Sequence, residues 1–115
     1  MSGYVAVLCS CGGKAEARRL ARTIVREKLG ACVSVIPSVA SVYRWKGKVE
    51  ESRESLLLIK TTRSLFRKLE RRLREIHSYE VPEIIALPIA AGSAPYLRWL
   101  AESVGTDFRS PDAHR

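Results

Sequence analysis

The stretch Ala31–Thr61 reads ACVSVIPSVASVYRWKGKVEESRESLLLIKT. Two arms rich in Val, Ile and Leu flank Lys46-Gly47, a pair suited to a tight turn. The first arm, Ala31 to Trp45, contains Pro37. Proline has no ladder N–H, so inside a strand it marks a bend or a bulge. The second arm runs from Val49 to Thr61 and carries Leu56-Leu57-Leu58-Ile59, an uninterrupted apolar run of the kind buried in a sheet. The whole stretch is therefore read as one long β-hairpin. An arm of about 14 residues at about 3.3 Å each spans about 46 Å. A compact chain of this size has a radius of gyration of roughly 13 Å. The tip, with Tyr43 and Trp45, is thus expected to overhang the body rather than to be folded back on it at Pro37.

Working outward from the hairpin, Tyr4-Val5-Ala6-Val7-Leu8 reads as a buried strand and Cys9 to Gly13 as the loop that ends it. A helix is expected from about Ala15 to Leu29, with Ala17, Leu20, Ala21, Ile24, Val25 and Leu29 on one face and Arg18, Arg22 and Arg26 on another. Gly30 stands where a left-handed C-cap would fall. A second helix is expected over Ser64–Ile76, with Leu65, Leu69, Leu73 and Ile76 as its apolar stripe and Thr62 or Ser64 as its cap. His77 to Pro82 is a loop, and Glu83 to Ile89 a strand. Ser93 or Ala94, with Pro95 after it, opens a short C-terminal helix. The order β-α-β-β-α-β plus one helix is the α+β, ferredoxin-like pattern, an antiparallel sheet with two helices on one face. Its other face would be left bare, yet strands apolar on both faces are normally covered on both. Self-association through the sheet is the expectation.

Composition narrows the function classes. The chain has 115 residues, 46% apolar and 28% charged, enough for one domain over residues 1–104 and too apolar for a disordered protein. Residues 105–115 read as a polar tail. No apolar run approaches the length of a membrane span, about 20 residues, and no secretory pattern opens the sequence. Three cysteines, Cys9, Cys11 and Cys32, suit free thiols in a reducing cytoplasm better than a disulfide framework. There is no phosphate-cradling Gly-rich loop and no nucleophile signature, so a non-enzyme is expected. Net charge is +8. An RNA-binding module of this fold would stack bases on sheet aromatics, and Ser55-Leu56-Leu57-Leu58-Ile59-Lys60 has none. No nucleic-acid partner is expected on that ground.

Four ordered segments carry a resemblance. They are Gly30 to Pro37, Tyr43 to Glu50, His77 to Ile84, and Tyr96-Leu97-Arg98-Trp99-Leu100. Together they resemble the CutA family of divalent-cation tolerance proteins over roughly Tyr4 to Val104. The resemblance implies a ferredoxin-like homotrimer, packed sheet to sheet as in the PII signalling proteins, that binds copper or another divalent metal.

The resemblance also implies that Cys9 and His77 are copper ligands. Some relatives place a second His before the first, and here that position is Ile76. Cys11 is the available replacement, because Cys9-Ser10-Cys11 offers two thiols from one short segment and thiolate suits Cu(I). Cys32 is read as core. Tyr79, Glu80 and Glu83 follow His77 closely enough to orient it or to bond between subunits. Trp45 is read as an anchor on a neighbouring subunit. The alternative functions are a PII-like trimer that senses a small ligand in its inter-subunit clefts and, second, an RNA-binding ferredoxin-like module.

Overall fold

A computed structural model describes residues 3–105. The elements run β1 (Tyr4–Cys11), α1 (Lys14–Arg26), β2 (Cys32–Trp45), β3 (Lys48–Thr62), a single 3-10 turn (Arg63–Leu65), α2 (Phe66–Ile76), β4 (Ile85–Pro88) and α3 (Ala94–Ser103). The four strands form one antiparallel sheet in the order β2-β3-β1-β4. The tail read over 105–115 lies outside the described residues except for Gly105, whose N–H donates to the Lys28 carbonyl at 3.1 Å.

Alternation along the central strands decides where the core lies. Val5, Val7, Cys9 and Cys11 of β1, and Leu57, Ile59 and Thr61 of β3, are buried on one face. Ala17, Leu20 and Ile24 of α1, and Leu69 and Leu73 of α2, close over them. Thr61 is the polar member of this layer, and its hydroxyl donates to the Leu29 carbonyl at 2.7 Å. Val25, expected on the buried stripe, is 43% exposed instead, because the helix turns it away from the sheet. Gly30 is not the left-handed cap either; Lys28 takes that conformation with φ 62°. Gly30 is needed for closeness: a Cβ there would stand 2.8 Å from Ile59 Cγ2 and 2.9 Å from Ile24 Cγ2.

The hairpin reaches out as its length requires, and the molecule measures 50 × 27 × 22 Å. Pro37 and Ser38 face the single residue Ser55 between the pairs Ile36–Leu56 and Val39–Glu54, so the bulge sits at the proline. Lys46 (φ 52°) and Gly47 (φ 82°) close the tip as a two-residue turn with both residues left-handed, the geometry that matches the twist of the arms. Thr62 and Ser64 do not cap α2. Their hydroxyls bond to each other at 3.3 Å, and the 3-10 turn starts the helix. Ser93 does cap α3, accepting from the Tyr96 N–H at 3.3 Å.

The second face of the sheet is open. Ile36 of β2 and Ile85 and Leu87 of β4 are each between 44% and 48% exposed there. Cys32 also belongs to this face, opposite Lys60, and is half-buried rather than core.

Candidate metal centre and adjoining cleft

Cys9 and Cys11 do not lie on a loop. β1 continues through Cys11 because β3 offers it a ladder partner to the end, Cys9 opposite Leu57 and Cys11 opposite Ser55. Two residues apart on a strand, the thiols share one face, and both are fully buried towards the helices. Burial, then the neighbouring Cys11, Glu83 and Glu16, push the Cys9 thiol up to about 12. Burial and Glu16 raise Cys11 as well. Both are therefore neutral thiols at pH 7, and both are free of disulfides.

His77 arrives at the same place from the end of α2. Its Nε2 stands 2.8 Å from the carbonyl of Ser10, the residue between the two cysteines. The Tyr79 N–H donates to its Nδ1 at 3.0 Å. A nitrogen that accepts from an amide carries no proton, so Nδ1 is bare and Nε2–H donates to Ser10. Both ring nitrogens are thus occupied. Ile76, where some relatives have a histidine, packs half-buried against the core.

Glu16 fastens the loop that follows. One carboxylate oxygen accepts the Ser78 N–H at 2.9 Å, and the other accepts the Ser78 hydroxyl at 2.9 Å and the Gly12 N–H at 3.3 Å. Burial works to raise this carboxyl. The bonds from Ser78 and Gly12 outweigh it and hold the group below the usual carboxylate range. Glu16 Oε2 also lies 3.8 Å from Nδ1 of His77.

Beside this cluster, on the open side of the sheet, lies a cleft of about 770 Å³. Tyr43, Trp45, Ser41, Ser52 and Glu54 of the hairpin line it, together with Ser10, Tyr79, Glu80, Val81 and Glu83. The structure thus brings Tyr79, Glu80, Glu83 and Trp45 together around one space. The Tyr79 hydroxyl donates to Glu54 at 2.7 Å, and burial together with that bond raises its pKa. The Ser10 hydroxyl donates to Glu83 at 3.3 Å. Among the described residues no lysine or arginine lines the cleft, although the chain has 20.

Sequence reasoning missed Glu16, Glu54 and Ser10. Glu16 acts on residues 62 positions away, and Ser10 acts through its main chain. Neither relation leaves a local signal. The donors suit a soft ion better than a hard one. Two thiols on one strand face can serve Cu(I), which accepts few ligands, whereas a hard divalent cation wants about six oxygens. Among the described residues no group of three or more His, Cys, Asp and Glu side chains is gathered around a point.

Comparison with known proteins shows the family. The family described as "CutA1 divalent ion tolerance protein" matches residues 5–103. The "Divalent-cation tolerance protein CutA" of Thermus thermophilus is 48% identical over 99 residues, covering 86% of this chain and 96% of that protein. "Protein CutA" of Homo sapiens is 44% identical over 106 residues, covering 88% of this chain, which spans only 59% of the human protein's length. A solved structure of the Thermus thermophilus protein superposes with a TM-score of 0.87 at 47% identity, covering 89% of this chain and 99% of that one. With the ferredoxin-like sheet, the projecting hairpin and these matches in agreement, the chain belongs to the CutA1 divalent ion tolerance family.

Proposed function

We propose that the chain is a non-catalytic, cytoplasmic homotrimer that contributes to divalent-cation tolerance by binding copper, taken up as Cu(I). Cys9 and Cys11 are the primary ligands, and His77 joins them by giving up its bond to Ser10. The observation that carries this reading is the clustering at the end of β1: two thiols on one face, with an imidazole docked on the carbonyl between them. The open apolar face around Ile36, Ile85 and Leu87 supports the trimer, since a face of this kind calls for a partner in water.

A Cu(I) competition titration of the reduced protein tests the site. One tightly held ion per chain is expected. Binding must displace thiol protons, because the Cys9 thiol titrates at about 12. Affinity should therefore rise about tenfold per pH unit for each proton released. Cys9→Ser and Cys11→Ser should each abolish tight binding. Affinity that is indifferent to pH and to both substitutions sinks the copper reading. The cleft beside Trp45 and Tyr79 favours the second reading, a PII-like trimer holding a small ligand between subunits, which predicts a protein untouched by Cys9→Ser.

A further inference from the structure

The net charge of +8 is not spread over the molecule. Residues 14–28 hold six basic and two acidic side chains, and residues 63–76 hold the same numbers. These two segments, which are α1 and α2 with their ends, therefore account for all of the excess. The remaining 86 residues carry eight basic and eight acidic side chains and are neutral.

Within the helix layer the cations are arranged in rows. Lys14, Arg18, Arg22 and Arg26 follow one another at four-residue steps along α1, and all four are exposed. At about 1.5 Å per residue they make a row inclined to the helix axis, with one cation about every 6 Å along it. None of the four has a carboxylate within 4.0 Å among the described residues, and the same holds for exposed Lys68 and Arg71 on α2. The carboxylates of the layer are engaged elsewhere. Glu16 holds Ser78, Glu27 is bidentate with Arg72, Glu70 lies between Arg67 and Arg74, and Glu75 pairs with Arg72.

Like charges at four-residue spacing oppose helix formation by a few tenths of a kcal/mol for each pair. An arrangement that opposes its own helix, concentrated on one layer of an otherwise neutral chain, points to an anion outside the chain. The apolar side of α1 is used up against the sheet by Ala17, Leu20 and Ile24, so the outer surface has little to insert into lipid.

We propose that the α1–α2 face binds the phosphodiester backbone of nucleic acid without regard to sequence. The expectation that nucleic acid is not a partner rests on a sheet without aromatics and on basic residues that lie mainly on the helices and not around the sheet; both grounds concern a sheet-borne RNA site, and this face is on the opposite side of the helices from the sheet. The proposal stands apart from the copper reading, whose groups lie beneath the helix layer.

The test is fluorescence anisotropy with a labelled mixed-sequence 30-base-pair DNA duplex and an RNA duplex of the same sequence, titrated with the full chain between 50 and 200 mM salt. Six phosphate contacts predict a loss of about a thousandfold in affinity over that range. The triple variant Arg18→Glu/Arg22→Glu/Arg26→Glu should lose binding while keeping the wild-type far-UV circular dichroism. Lys46→Glu/Lys48→Glu at the hairpin tip should retain it. If the triple variant fails to fold, Arg18→Gln/Arg22→Gln should still lower the salt slope by about two units. Equal binding of the two duplexes marks backbone recognition, and preference for one identifies its source. A salt-insensitive affinity, an equal loss in the hairpin-tip variant, or tighter binding to phosphatidylserine vesicles than to either duplex would each overturn the proposal.

Discussion

Glu16 leaves the first turn of α1 and accepts three hydrogen bonds, two from Ser78 and one from Gly12. It thereby fixes the start of the loop that carries His77 and Tyr79. A charged acceptor with several donors is worth more than a neutral one, because each bond is charge-assisted. Glu16→Ala should therefore cost about 1 to 3 kcal/mol at pH 7, read by urea denaturation. The sign with pH follows from the lowered carboxyl. Its stabilisation is present above the unfolded value of about 4.3. It is lost as pH falls through the lower folded value. Wild type and variant should thus converge in stability towards pH 3. A constant gap between them at pH 7 and pH 3 would show that the carboxylate is not what holds the loop. None of this could be read at residue 16, where a glutamate in a first helical turn is ordinary; its importance comes from a loop that only the folded chain brings near.

At the scale of elements, the hairpin was legible because its signals are local: apolar arms, a proline at the bulge and glycine at the tip. The turn there has both central residues left-handed, and Gly47 at φ 82° adopts that conformation without a Cβ penalty. Gly47→Ala should cost about 1 to 2 kcal/mol and lower the melting temperature. Lys46→Asn should raise it slightly, since asparagine tolerates that region better than lysine. An unchanged melting temperature in Gly47→Ala would mean that the tip does not contribute to the measured unfolding. Other boundaries depend on distant pairing and were read less well. The end of β1 has the composition of a loop, Cys9-Ser10-Cys11-Gly12-Gly13, yet the ladder with β3 extends it to Cys11 and turns a possible thiol loop into buried core. β4 spans only Ile85–Pro88, shorter than its apolar run, because β1 pairs with four of its residues. The same dependence governs the candidate site. Its residue types could be picked out from the sequence, whereas the bond from His77 to the Ser10 carbonyl could not.

For the whole molecule, the decisive asymmetry is between the two faces of the sheet. One is sealed by α1 and α2, and the other leaves Ile36, Ile85 and Leu87 partly in water beside a projecting hairpin. Burying apolar surface yields about 25 cal/mol for each Å², so covering such a face from several copies supplies a driving force that one chain lacks. The exposure of these side chains also lets fold and assembly be tested apart. Charge placed at Ile85 and Leu87 meets water in a lone chain and costs its fold little, but in the proposed trimer it would have to be buried without a partner. Ile85→Lys/Leu87→Lys should therefore keep the far-UV spectrum of the wild type while its mass in solution, by light scattering, falls to that of one chain. The wild type's melting temperature should rise with protein concentration, as it must when folding and association are coupled, and the variant's should not. A double variant that keeps the wild-type oligomeric mass would move the interface away from β4 and leave the open face without its assigned role.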